Sequence, residues 1–438
     1  MLGGVVLCLT AVATAAITYQ SSQTAASTQV TYTTVDVSKP TSVASGDLMI
    51  ASVAVHGGDM AVVSSVPTGW TLIGSTTNDG SLLLLSYWKI AGGSEPSSYE
   101  WQINGQTTAE GGITRYTGTH TSDPIDAASG NTGLGTTATT SAITTTAASD
   151  TIVTLFAVDE GKTTTSGSYF GTPTGMTERY DVSNTPFGPS IALDDVVQTT
   201  AGSVASKSSA IGGNNKAKNW ASEVIALRPP TVTVVATGSQ DVGYNSSGSF
   251  SADSGGGTAC FVGFGGHNGV TVTSLTWGGS AMTQVARNDT VYSGWHADLW
   301  YIKNPPSGSQ TLSYSYSGID NALFGWVCTT GEAASPIGTI DNTSGGRNGT
   351  TTSMSITTTA PNSLIIGTSF NNNNSGTMSA VGPNVTLAWN VQELATPDTL
   401  STNGLYQSAT TIGTYTPGFS WTNLVDPFAA VGVEVLVQ

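Results

Sequence analysis

The residues with most scope for chemistry in this 438-residue chain are its four histidines, ten tryptophans and three cysteines. His56 and His267 stand 211 positions apart, each beside glycine at the end of an apolar run. That placement reads in two ways: turn residues satisfied by backbone or solvent, or a paired loop site for a metal or a glycan. Trp101 and Trp220 flank polar residues and are expected on an exposed face, where an indole can stack on a sugar. Trp88 and Trp300 sit in apolar runs and are expected in the core. Cys260 and Cys328 lie in strand-like apolar runs, which leaves two readings open, a disulfide stapling two strands or a pair of buried thiols. Neither has a histidine nearby and no C-x-x-C occurs, so zinc has no support. Calcium lacks its D-x-[DN]-x-[DN]-G loop, and no cofactor is expected.

Catalytic constellations are missing as well. Asp159-Glu160 and Asp194-Asp195 are adjacent pairs, and neighbours on a strand point to opposite faces. They cannot flank one sugar as glycosidase carboxyls do, and are read as solvated turn residues or, at best, as contributors to a loop calcium site. There is no G-x-S-x-G elbow, H-E-x-x-H or Walker sequence. Gly263 to Gly269 (GFGGHNG) resembles a phosphate loop only superficially, because no helix follows to supply a positive dipole end. The expectation is a protein without enzymatic activity.

The elements that must carry these residues are strands. Charged residues are only 9% of the chain, against about 25% in an ordinary domain, and the net charge is -16. An acidic balance of that size excludes a nucleic-acid partner held through phosphates. Period-two runs rich in Val, Thr and aromatics, bounded by Gly, Asn, Asp and Pro, predict an all-β fold. Strands are expected at 48–55, 70–73, 82–90, 98–103, 112–116, 141–145 and 151–158, with hairpin turns at Asp79-Gly80, Asn104-Gly105 and Asn403-Gly404 if the flanking strands are neighbours. Ile143-Thr144-Thr145-Thr146-Ala147 recurs as Ile356 to Ala360, an offset of 213. Pro124 and Pro336, Trp88 and Trp300, and Glu223 and Glu434 keep offsets of 212, 212 and 211. The repeat predicts two tandem homologous antiparallel β-sandwich domains of jelly-roll type, 17–229 and 230–438, each with about eight to ten strands. They follow an apolar segment, 1–16, that reads as a signal peptide, a retained assembly tail or an anchor. A membrane partner is then expected only transiently, during export.

The segments GDLMIASVAVHGG, PTGWTLIG, YTGTHTSDPIDAASG and SAITTTAASDTIVTLFAV resemble a β-sandwich module of bacterial secreted and surface proteins and of phage tail or fibre proteins. VTSLTWGGSAMTQVAR and LWYIKNPPSGSQTLSYSYSG are similar to a variant of it. The resemblance implies a surface-exposed adhesive or scaffolding protein and carries over no catalytic residue. Together with strand edges poor in Lys gatekeepers, it leads to an extracellular, cell-surface or virion-surface subunit that partners with itself, with 1–34 as the assembly element. The alternative is a tandem glycan-binding module using loops at His56 and His267. Six N-x-S/T sequons, at Asn245, Asn288, Asn342, Asn348, Asn373 and Asn384, fall in the second repeat.

Overall fold

A computed structural model describes Ile17 to Val437 apart from residues 28–33, 58–62, 105–107, 162–168, 184–187, 213–215, 267–269, 290–293, 319–320, 346–348, 373–377, 394–399 and 426–427. Among the described residues every regular element is a strand, so the chain is all-β. Two compact units emerge, one ending at Pro230 and one beginning at Thr231.

Each unit contains two sandwiches rather than the single one that eight to ten strands per repeat had implied. The first sandwich has strands Thr18–Ala26, Thr34–Ser38, Leu48–His56, Val63–Ser65, Thr71–Asn78, Leu82–Ile90, Ser98–Ile103 and Ala109–Thr117. Numbered one to eight, they form a broad sheet in the order 1-8-3-6-5 and a thin sheet in the order 2-7-4. All pairings are antiparallel. This is a jelly roll, two interleaved Greek keys, with its fifth strand on the broad sheet.

The same order recurs three times. Ile125–Gly135, Lys218–Leu227, Asp150–Val158, Ser190–Gln198 and Thr177–Ser183 make the broad sheet of the second sandwich. Thr233–Asp241, Ala322–Thr330, Ala259–Gly266, His296–Lys303 and Thr283–Asp289 make that of the third, and Glu332–Gly345, Phe428–Val437, Ser363–Asn372, Leu400–Ala409 and Val385–Gln392 that of the fourth. Within each unit the two broad sheets pack face to face along a seam, with a thin layer outside each of them. A broad sheet is therefore covered on both faces. That is why its central strands read as unbroken apolar runs, such as Leu48 to Val55, instead of alternating ones.

Local signals were right where turn chemistry decides and wrong where packing does. Asp79 and Gly80 take φ of 42° and 66°, and the Ser81 N–H donates to the Asn78 carbonyl at 2.8 Å, a two-residue turn of primed type. Asn104-Gly105 joins strands of different sheets and is no hairpin; Gly105 itself lies outside the described residues. Asn403 and Gly404 are mid-strand, because a Cβ at 404 would fall 2.2 Å from the Trp389 ring. Of the expected assembly element 1–34, Thr18–Ala26 is already a strand of its own sandwich, paired with Ala109–Thr117, and Thr34 opens another. Residues 1–16 lie outside the described part.

Candidate functional site

The paired-histidine site is not assembled by what is described. His56 is exposed at its strand end, its Nδ1 3.1 Å from the Asp159 carbonyl, and His267 lies outside the described residues. Both proposed sugar platforms are core residues. Trp101 is fully buried against Trp70 and Tyr87, because alternation along Ser98–Ile103 turns it toward the broad sheet while Glu100 and Gln102 face out. Trp220 is also buried, its ring lying where a Cβ on Gly133 would be 2.4 Å away. The polar neighbours in sequence were on the other face of the strand.

Cys260 and Cys328 are disulfide-bonded, and they join neighbouring strands of one sheet rather than two sheets. Asp194 and Asp195 are buried mid-strand and not solvated turn residues. Asp195 is held by Arg179 through two 2.8 Å hydrogen bonds. Asp159 and Glu160 follow a strand end, where Glu160 pairs with Lys218. Asn288 is no open glycosylation acceptor, since its amide donates to the Thr343 and Ala430 carbonyls at 2.7 and 3.1 Å. Asn245, Asn342 and Asn384 are exposed, and Asn348 and Asn373 lie outside the described residues. Among the described residues no three His, Cys, Asp or Glu are grouped to hold a metal.

The repeated pentapeptide turns out to be a carboxylate-holding turn. The Thr146 and Ala147 N–H groups donate to Asp126, and those of Thr359 and Ala360 to Glu434. Asp126 comes from a first strand and Glu434 from an eighth strand, so two carboxylates of different origin meet the same need. Burial would push Asp126 up, but hydrogen bonds from Thr146 and Arg228 outweigh it and hold the carboxyl well below the usual range. Glu434 is consequently no counterpart of Glu223. Glu434 pairs with Ile365, whose repeat mate Ile152 pairs with Ala226. Trp88 and Trp300 are likewise one position out of step: Trp88 packs on the seam and Trp300 on the opposite face, against the third sandwich's own thin sheet.

What concentrates polar chemistry is the seam of the first unit. Its apolar part is built from Leu48, Ile50, Leu84, Val153, Leu155 and Leu193 with their neighbours. In the same alternation stand Ser52, Ser86, Glu110, Tyr116, Tyr180, Asp195 and Glu223. Ser52 and Tyr180 share a 2.6 Å hydrogen bond, and Tyr116 donates to Asp195 at 3.0 Å. The Arg179 guanidinium that neutralises Asp195 also lies over the Tyr19 ring at 4.2 Å. Among the described residues Glu110 and Glu223 have no such cation. The Oε2 of Glu110 finds no hydrogen-bond partner, and burial pushes its carboxyl up to about 8. Burial raises Glu223 to about 7, even though the Ser86 and Thr76 hydroxyls donate to it.

Beside Glu223 the seam opens into a cleft of about 580 Å³ between the edge strands Thr71–Asn78 and Ile125–Gly135. Ser75, Thr76, Thr77, Ser129, Asn131 and Thr132 line it, with Gly74 and Gly130 letting the strands approach. A Cβ on Gly74 would fall 2.5 Å from Glu223, and one on Gly130 would fall 2.2 Å from Thr76. Sequence reasoning had treated Glu223 only as a repeat landmark. The available signal was a lone acid inside the apolar run Trp220 to Leu227, where burial without a partner costs several kcal/mol and asks for a reason.

No family model matches the chain, and no curated protein matches it. Among solved structures, a Faustovirus major capsid protein aligns over 97% of this chain and 91% of its own at 6% identity, with a TM-score of 0.09. A score that low is a likeness of neither fold nor function.

Proposed function

We propose that the protein is a non-enzymatic extracellular structural subunit that assembles with copies of itself into a surface filament, surface layer or virion appendage. The observation that carries this reading is the state of the sheet edges. The four broad sheets end in eight edge strands, and none of the eight contains a lysine. Thr18–Ala26, Thr71–Asn78 and Val385–Gln392 contain no charge at all. Lysine on an edge is the usual guard against pairing with another chain. Thr233–Asp241 is the most open of them, with no buried residue and with Val235 38% exposed. As an edge strand it has, among the described residues, no strand neighbour on its outer side, where a strand of a second copy could pair.

The test is to place guards on that edge. Val235→Lys with Thr237→Lys is expected to leave the fold intact and to abolish polymers seen by negative-stain electron microscopy. Removal of residues 1–16 alone separates the contribution of the apolar segment from that of the edge. Unchanged polymers in both variants, or a wild-type protein that stays monomeric at high concentration, sink the proposal.

A further inference from the structure

We propose that the cleft between Thr71–Asn78 and Ile125–Gly135 is a binding site for a hydroxyl-rich ligand carrying one ammonium group, of the amino-sugar class, with Glu223 as its counter-charge. Its volume, about 580 Å³, lies in the range of small-ligand sites. Glu223 stands at the floor with 2% of its surface exposed, and its hydrogen-bond donors are two neutral hydroxyls, from Thr76 and Ser86. The lining contains no Lys, Arg or His, so the buried carboxyl is neutralised either by its own proton or by a cation brought from outside.

The rest of the lining narrows the ligand. Ser75, Thr76, Thr77, Ser129, Asn131 and Thr132 offer hydroxyl and amide groups that match a polyol. There is no aromatic ring on which a neutral sugar could stack, so the ionic contact has to hold the ligand. The carboxylate is not demanded by the jelly roll. In the second unit the place of Glu223, opposite Leu155, is taken by Val431, opposite Thr368. Gly74 and Gly130 complete the cradle, since any side chain there would collide with Glu223 or Thr76. The surplus of negative charge over the whole chain draws a cation toward such a cleft. Binding an ammonium group also relieves the burial that otherwise favours a protonated Glu223.

The experiment uses the full chain at neutral pH and low salt, with glucosamine, glucose and N-acetylglucosamine as probes in saturation-transfer NMR and calorimetry. Glucosamine is expected to bind roughly tenfold or more tightly than either neutral sugar. Glu223→Gln should erase that preference, and Thr132→Lys, which brings a cation to the exposed rim, should compete with the ligand while circular dichroism stays unchanged. Equal binding of all three sugars, undiminished binding to both variants, or no glucosamine binding to the wild type at millimolar concentration overturns the proposal. Because none of these readouts involves polymer formation, failure here is separable from failure of the assembly reading.

Discussion

The two seams solve one packing problem with opposite chemistry. In the first unit, the broad sheets meet through aliphatic side chains interrupted by Glu110, Asp195, Glu223, two serines and two tyrosine hydroxyls. In the second unit, Trp389 lies across Gly263, Gly325 and Gly404, where a Cβ would come within 2.6, 2.2 and 2.2 Å of its ring. Around it are Ile366, Phe370, Val431 and Val433, and the buried acid opposite Val437 on the same face, Glu332, is paired with Lys303 at 2.6 Å. Tyr180 occupies the strand position corresponding to Trp389, just after a bulge in the fifth strand, and it too rests on a glycine, Gly112. The lesson is that a large ring on glycine is what this sheet-on-sheet arrangement requires. The buried acids without a cation, Glu110 and Glu223, are an addition to it, and they make the first seam sensitive to pH where Glu332 of the second is ion-paired.

The comparison can be broken most directly at Trp389. Trp389→Ala should cost about 3–5 kcal/mol, because three glycines leave nothing to collapse into the space. The loss is expected in the thermal unfolding of the second unit, and a change below about 1 kcal/mol would mean that the ring is not the keystone of that seam.

The next effect is the pH response. Glu110 and Glu223 have folded-state pKa values raised above those of an unfolded glutamate, to about 8 and about 7. Their contribution is therefore fully present in acid and is lost as pH rises through 7 to 8, each tenfold difference in proton affinity between folded and unfolded chain being worth about 1.4 kcal/mol. Hydrogen exchange in Lys218–Leu227 should accelerate between pH 5 and pH 9, after correction for intrinsic rates, on the order of 3 kcal/mol in opening free energy. Exchange in Phe428–Val437 should not follow. Glu110→Gln with Glu223→Gln should flatten the response. An equal response in both strands would erase the distinction between the seams.

A third test moves to the third sandwich's own core. His296 and Asp298 are fully buried 3.6 Å apart, their ring and carboxyl polar atoms have no hydrogen-bond partner among the described residues, and the Arg287 guanidinium stands 4.0 Å from Asp298. Burial pushes His296 down to about 4 and Asp298 up to about 7. The corresponding inward positions of the first sandwich are Leu83 and Leu85. His296→Leu with Asp298→Leu is expected to raise stability by about 1–3 kcal/mol above pH 7, measured by denaturant unfolding. Destabilisation instead would assign the pair a partner that matters.

The smallest effect should be shared. Asn78 donates to the Gly133 and Trp220 carbonyls at 2.8 and 2.9 Å, and Asn288 does the same for Thr343 and Ala430. Each asparagine ties the fifth strand of one sandwich to the first and eighth strands of the next. Alanine at either position should cost about 1 kcal/mol and by similar amounts, and a large inequality would show that the latches are not equivalent.

Much of this could be read in residues and much could not. Leu48 to Val55 announced a strand buried on both faces, and Asp79-Gly80 announced a turn, because both depend on local chemistry. The second sandwich in each unit escaped notice, since its strands share a topology with the first but few side chains. Trp101 and Trp220 were misplaced because strand neighbours occupy opposite faces, so polar neighbours say nothing about the ring itself. Glu223 was seen but not weighed: an acid in an apolar run is visible, but the seam that buries it is not.

Composition and period-two patterning by themselves determined the all-β class, the central strands and the shortage of charge at the edges, for these follow from side-chain type alone. Tertiary structure decided which face each residue joined, that Cys260 stood opposite Cys328, and that Glu110 and Glu223 came to lie in a seam where Arg179 neutralises Asp195 and not them. The physical reason is the period of two: a one-residue slip, as between Trp88 and Trp300, leaves the sequence pattern nearly unchanged and moves a side chain from one core to another.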